Sequence, residues 1–396
     1  MAVAAGIMLI PFTLPQIIKE WELSKIQAST IASSTFVGML LGAFISGFVS
    51  DLFGRKFANL LFLSMTTILT AVNGLANSPD AFAIIRFLSG IGYGGLLPSV
   101  NAYLSELTAI KIRGRYLAIL DMNWAFGSIL IGLFAVTLGT KLGWRYDYYI
   151  MLVFALLLIP FALAPESPKY VFSRKGKAAL EELLGVQIDE EIEPVENVKV
   201  PIAALFSRKY YRQTIMVWII WFIASFVYYG LFIWLPKMFA SKGIGELKSL
   251  WFTFFMMVAQ IPGYLSVAYL IEKTGRKYTL AIYFMALGAS AMAFALARNV
   301  TVFLLAALIT SVFCLGVWGL LYAYTPELFP TSFRTTANGM AGVMARIAGI
   351  IAPYFTAYFI QRGSIVGALS WFAAMSVFAG IVVLILGVET KGKAVG

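Results

Sequence analysis

Residues 322–354, Y-A-Y-T-P-E-L-F-P-T-S-F-R-T-T-A-N-G-M-A-G-V-M-A-R-I-A-G-I-I-A-P-Y, decide how the chain is read. The stretch leaves one apolar span, turns at Pro326 and Pro330, and enters a second span at Phe333. Arg346 follows Arg334 by 12 residues, which on a helix is ~18 Å of rise. A hydrocarbon layer is ~30 Å thick, so this arginine falls near its middle. A guanidinium there costs at least ~2.5 kcal/mol and should face a partner or a wet cavity. It is either an anion-binding group in a transport path or a structural arginine tied to backbone carbonyls. Ionisable residues inside a membrane default to the functional reading.

The composition around this stretch agrees. Of 396 residues 60% are hydrophobic and only 12% charged, with a mean hydropathy of +0.85. A soluble domain carries about 25% charged residues, so this is an integral membrane protein. Recurring apolar runs make its spans helical, since a β-barrel would show short alternating segments. No stretch has soluble-domain composition, so no catalytic domain and no enzyme are expected. The net charge of +11 could suggest nucleic acid. Its distribution excludes that: about two-thirds of the 30 Lys and Arg fall on loops of one side, the asymmetry that marks the cytoplasmic face. Cys314 is the single cysteine and there are no histidines, which leaves no disulfide framework and no metal site. Gly90-Ile-Gly92-Tyr-Gly94-Gly95 sits inside an apolar span with no preceding strand. It therefore reads as a close helix contact, like Gly38-x-x-x-Gly42, rather than a nucleotide site. No cofactor is expected, and the absence of a Walker sequence excludes ATP-driven pumping.

The spans read as 1–18, 28–50, 57–77, 81–106, 116–140, 146–165, 213–239, 248–271, 278–297, 300–325, 333–361 and 364–387. That predicts an all-α membrane protein of twelve helices with both termini cytoplasmic. Residues 1–18 lack the basic lead and cleavage site of a signal peptide. Residues 166–212 form the one long polar break. Its first part, K-Y-V-F-S-R-K-G-K-A-A-L-E-E-L-L, is basic and amphipathic and suits a helix on the inner membrane surface. The acids that follow (Asp189, Glu190, Glu191, Glu193, Glu196) read as a solvated linker.

The two sides of that break repeat each other. Asp51-Leu-Phe-Gly54-Arg55-Lys56 recurs 221 residues later as Glu272-Lys-Thr-Gly275-Arg276-Lys277. Tyr103, Glu106 and Arg113 recur at the same offset as Tyr324, Glu327 and Arg334. Pro165-Glu166-Ser167 closes the sixth span much as Val388-Glu389-Thr390 closes the twelfth. The expected organisation is a six-helix bundle over 1–165, a cytoplasmic linker over 166–212, and a second pseudo-symmetric six-helix bundle over 213–396. Parallel duplication of this kind places a binding site between the halves, near mid-membrane.

The repeated charges suggest a gate. Gly47 would let two helices approach, Gly54 permits the tight turn, and Asp51 can pair with Arg55 or with a base across the halves. Glu106 with Arg113 and Glu327 with Arg334 read as carboxylate–arginine partners at the ends of spans four and ten. With Arg55, Lys56, Glu272, Arg276 and Lys277 they form one charge network that favours one conformation and breaks in the other.

Taken together, these motifs resemble the major facilitator superfamily, and more narrowly its sugar-porter-like branch. The elements that carry the resemblance are D-x-x-G-R-K, R86-F-L-S-G-I-G-Y-G-G, Y103-x-x-E106…R113-G-R, P-E-S-P at 165–168 and E-T-K-G at 389–392. The resemblance covers essentially the whole chain and implies an alternating-access carrier. Tyr324-Thr-Pro-Glu-Leu-Phe-Pro-Thr-x-x-Arg334 and Ala345-Arg346-x-x-Gly349-x-x-Ala352-Pro353 look most like the organic-ion and nicotinate-type transporters. In those an arginine at the position of Arg346 is linked to carboxylate substrates. The seventh span lacks the glutamine pair of true sugar porters. Tyr228, Tyr229, Trp234, Trp124, Trp318 and Tyr322 offer ring faces with few polar handles, which suits an aromatic or apolar carboxylate better than a hexose.

The expected activity is secondary transport of a small organic anion together with protons, by a monomer surrounded by membrane lipid in the plasma membrane. Arg346 would hold the carboxylate, Tyr228, Tyr229, Trp124, Trp318 and Tyr322 would line the site, and Gln260 and Asn123 would add hydrogen bonds. Many proton-coupled relatives carry an acid early in span one, about where this chain begins. Asp121 is the best remaining acid inside a span, and buried carboxyls gain protons readily. Three other functions stay open: a sugar or polyol symporter, a drug exporter, and a transporter-like receptor or scaffold.

Overall fold

Only a helix or a closed barrel satisfies every backbone polar group inside a bilayer, so repeated apolar runs of about 20 residues fold as helices. In the computed structural model of the chain, twelve helices among the described residues are long and apolar enough to cross a membrane. The structure describes residues 1–187, 201–240 and 242–392, without the side chains at positions 110, 111, 113–115, 118, 331 and 332. The acidic run expected at 189–196 lies outside the described residues.

The first six spans are α1 (Ala2–Glu20), α2 (Lys25–Phe53), α3 (Arg55–Leu75), α4 (Pro79–Leu107), α5 and α6. Helix α5 runs over Ile110–Phe134 and continues through a π turn, Ala135–Gly139. Helix α6 is built from three pieces, Trp144–Tyr149, Met151–Ala155 and Leu158–Leu163. A polar helix follows, α7 (Pro168–Leu184), bending at Gly176 and ending on left-handed Gly185. It is the amphipathic helix expected after the sixth span, with Val171 and Leu180 buried. The last six spans are α8 (Tyr211–Phe232), α9 (Glu246–Thr274), α10 (Arg276–Leu296), α11 (Val300–Glu327), α12 (Thr331–Gln361) and α13 (Ile365–Leu386). Two starts are written locally in the sequence. Ser78 and Ser167 each accept from the backbone N–H three residues on, and a proline fills the first turn of each helix.

The chain divides into two compact units, Met1–Leu9 with Ser34–Asn197 and Ile10–Ser33 with Val198–Gly396. In the first unit α2 and α4 pack backbone to backbone. A Cβ on Gly38, Gly42, Gly90 or Gly94 would come within 2.3 Å of a main-chain oxygen of the facing helix. That is the contact expected of these glycines. Gly47, expected to allow a similar approach, has nothing within 4 Å of its would-be Cβ.

The second unit takes in residues 10–33, which the sequence reading places in the first bundle. Within that segment, three donors spaced four residues apart on α2 tie residues 25–33 to α12. Lys25 Nζ donates to the carbonyl of Ile360 at 3.0 Å, and Ser33 Oγ to that of Ile350 at 2.7 Å. Between them, the Ser29 hydroxyl reaches the carbonyls of Lys25 and Pro353. Tyr354 adds a bond from its hydroxyl to Thr30 Oγ1 at 3.0 Å. The start of α2 is thus stitched along α12.

Candidate functional site

Residues seven or eight apart share a helix face, so Trp221, Tyr228 and Tyr229 line one side of α8. Trp318 and Tyr322 are four apart on α11 and meet them. The Trp221 and Trp318 rings lie edge-on at 5.6 Å and Trp221 and Tyr322 at 5.2 Å, while Trp318 and Tyr322 stack at 5.9 Å. Tyr228 lies 6.2 Å from Trp318 and 5.2 Å from Tyr229. Edge-to-face and offset pairs of this kind add stability beyond the area they bury.

Arg346, midway along α12, completes the cluster. Its guanidinium lies within electrostatic reach of the Tyr322 and Tyr229 side chains. Nη1 donates to the carbonyl of Gly342 at 2.8 Å, one turn back on its own helix. Gly342 makes this pose possible, because a Cβ there would stand 2.7 Å from Nη1. Ser225 clamps α8 to the same turn of α12, donating to the Ala345 carbonyl at 2.6 Å. Arg346 as a residue is half-buried, yet its Nε is sealed from solvent and has no hydrogen-bond partner. Trp318 Nε1 is likewise buried and without a partner.

The second unit therefore brings five expected residues together: Arg346, Tyr228, Tyr229, Trp318 and Tyr322. Gln260, on α9, is fully buried, and neither its amide nitrogen nor its oxygen has a partner. Asp121, Asn123 and Trp124 lie on α5 in the first unit, all half-buried, with the Asn123 amide donating to the carbonyl of Ile119 at 2.8 Å. Sequence reasoning missed Trp221, Ser225, Gly342 and Thr325, which accepts from Trp221 Nε1 at 2.8 Å. The four-residue spacing of Gly342 and Arg346 was the available signal, since i and i+4 share a helix face.

The repeated charges form two matching networks, one inside each unit. In the first, Arg55 donates to Glu106 at 3.3 Å and to Asp51 at 2.9 Å. In the second, Arg276 reaches Glu327 at 3.0 Å and Glu272 at 3.6 Å. Each is closed by an acid at the end of its half. Glu166 Oε1 accepts from the backbone N–H of Arg55 and Lys56, and Glu389 takes those of Arg276 and Lys277. Ser167 donates to Glu106 as Thr390 does to Glu327. Tyr103 donates to the carbonyl of Pro165 as Tyr324 does to that of Val388. Burial alone would raise the Glu389 carboxyl. The backbone N–H groups of Lys391, Arg276, Thr390 and Lys277 outweigh it and hold the group below the usual carboxylate range.

Two expectations need amendment. Glu327 pairs with Arg276, while Arg334 Nε turns back to the carbonyl of Phe329 at 3.2 Å. Arg334 sits in the first turn of α12, and that nearby carbonyl satisfies it locally. The Arg113 side chain, the expected partner of Glu106, lies outside the described residues, and Glu106 instead meets Arg55 and Ser167.

This pair of helical units with duplicated loop networks is the architecture of a membrane carrier. Over residues 7–395 the chain matches the family model described as sugar (and other) transporter. It belongs to that family, within the major facilitator superfamily, and is a transporter of a small-molecule substrate. A protein of Bacillus subtilis (strain 168), named as a provisional niacin/nicotinamide transporter NiaP, is 34% identical over 98% of this chain and 93% of its own length. The niacin transporter NiaP of Acinetobacter baylyi is 32% identical over 97% of this chain and 90% of its own. Among solved structures, a D-xylose-proton symporter superposes with a TM-score of 0.78 at 20% identity, covering 99% of this chain and 98% of that one. At that identity the likeness concerns the fold.

Proposed function

We propose that the chain is a secondary active transporter of a small aromatic carboxylate of the pyridinecarboxylate class, working by alternating access in the plasma membrane with its basic loops in the cytoplasm. The observation that carries this reading is the buried, unpartnered Nε–H of Arg346 beside five aromatic rings. Nη1 is occupied by the Gly342 carbonyl, which fixes the guanidinium plane and leaves the Nε edge for a carboxylate oxygen. The rings of Trp318, Tyr322, Tyr228 and Tyr229 offer faces and edges to a flat aromatic body. The two relatives named for niacin support the same class.

Proton coupling is assigned to Asp121, the half-buried acid on α5, and the charge networks of Arg55 and Arg276 act as the gate. The test is uptake of labelled pyridine-3-carboxylate by purified protein in liposomes. Wild type should accumulate it and Arg346→Ala should not; equal uptake by both would remove the arginine from the site. A polyol reading is favoured by one observation, the free donor and acceptor of Gln260. Competition by polyols, with none by aromatic acids, would put it first.

A further inference from the structure

Four tryptophans are buried among the described residues: Trp144 in the first unit, and Trp221, Trp234 and Trp318 in the second. In the second unit two of the three have their indole N–H satisfied. Trp221 donates to Thr325 Oγ1 at 2.8 Å, and Trp234 to the carbonyl of Pro353 at 3.1 Å. Trp318, only 7% exposed, has no partner for Nε1. A buried donor left unsatisfied is costly, and each such group in a well-packed protein calls for a reason. Its surroundings provide one. The Trp318 ring is held by Trp221, Tyr228 and Tyr322, and Tyr322 in turn interacts with Arg346. The cluster that presents one unmet cationic donor therefore presents a second, neutral one.

We propose that the Trp318 indole N–H is a specificity-determining donor that receives the ring nitrogen of a heteroaromatic acid whose carboxylate lies on Arg346. This rests on the carboxylate reading above and narrows it. Both unmet groups are donors, so the ligand that satisfies them brings acceptors at two places. A benzoate has the carboxylate and the flat body but no second acceptor. A pyridinecarboxylate has the same size and shape, with a lone pair in the ring plane. A site built to donate to a substrate atom rejects an analogue that lacks it, because its own buried donor is then stranded. The neighbouring N–H groups cannot serve, being spent on Thr325 and Pro353.

The test compares binding of pyridine-3-carboxylate and benzoate to detergent-purified protein by calorimetry. Wild type should prefer the pyridine acid by at least about tenfold, the usual effect of one stranded buried donor. Trp318→Phe keeps an aromatic ring and removes the N–H, so the ratio of the two affinities should collapse. Trp234→Phe, which lies outside the ring cluster and whose N–H is already used by the Pro353 carbonyl, should keep the preference. A ligand-side arm does not depend on how any variant folds: N-methylpyridinium-3-carboxylate, its nitrogen blocked, should bind wild type no better than benzoate. A preference that survives in Trp318→Phe, or full affinity for the blocked acid, overturns the proposal. Binding of neither acid to wild type would sink the carboxylate reading itself, a separate failure from loss of discrimination between two bound acids.

Discussion

Arg276 Nε lies 3.0 Å from Glu327 Oε2, and the two residues are 51 apart in the chain; Arg55 and Glu106, also 51 apart, make the same contact in the first unit. Geometry repeated on this scale places the Arg–Glu pair at the base of each unit, where loop, helix end and closing acid all converge. Such pairs are only partly buried, so the strength of the arrangement lies in the network more than in any one ion pair.

The closing acid of the second unit, Glu389, should be sensitive to pH. Glu389 titrates below the usual carboxylate range because backbone N–H groups favour its charged form. A depressed folded-state value gives stability that is present above the unfolded value of ~4.3 and lost as pH falls through the lower folded value. Thermal unfolding of Glu389→Gln should therefore show a lower melting temperature than wild type at pH 7, with the gap closing in acid. A constant gap across that window would mean the carboxylate's charge is not what matters.

Two loop glycines should resist substitution where a third does not. Gly54 (φ +97°) and Gly275 (φ +86°) have left-handed backbone, and a Cβ on either would meet Glu166 or Glu389 within 2.5 Å. Gly275→Ala should cost about 1–3 kcal/mol through strain and displacement of the acid. Gly47→Ala lies within α2 with open space around it, and should be neutral or stabilising by up to ~1 kcal/mol. Parallel melting curves of the two variants give the comparison.

Retaining the charge at Arg346 should not retain the function. Lysine cannot reproduce a planar fork held at Nη1 by Gly342. Arg346→Lys should weaken acid binding by roughly 10- to 100-fold, the range for a charge-assisted hydrogen bond. Equilibrium binding of pyridine-3-carboxylate reads this directly.

The stitching of α2 to α12 should be worth about 0.5–1.5 kcal/mol per bond. Ser33→Ala and Lys25→Met are expected to speed amide hydrogen exchange over residues 25–33. Protection identical to wild type would mean that apolar packing alone holds this segment. On the coupling side, Asp121→Asn should abolish accumulation driven by an imposed pH gradient while leaving exchange of labelled substrate.

The spans and the duplication were legible because each is written along the chain. Hydropathy marks the helices, and a constant offset of 221 ties Gly54-Arg55-Lys56 to Gly275-Arg276-Lys277. Side-chain partners are set by the fold and were less legible. Glu327 and Arg334 have an attractive spacing, yet a helix start at Thr331 turns Arg334 toward Phe329. Glu166 and Glu389 stand out in the sequence as repeat markers, but their role in gathering loop N–H groups depends on contacts more than 100 residues away. The ring cluster was partly visible: Tyr228, Tyr229, Trp318 and Tyr322 could be named, while Trp221 needed the packing of α8 against α11 to be recognised.

Because the acid that completes each network stands at the end of its own half, biogenesis has a natural order. Once Glu166 and Ser167, and soon after them Tyr170 and Arg174, leave the ribosome, the loop at Arg55 has these partners in hand before α8 has been synthesised. The equivalent loop at Arg276 must wait for Glu389 and Thr390, which follow α13. A nascent chain released early would thus carry one finished inner knot and one with its N–H groups unmet.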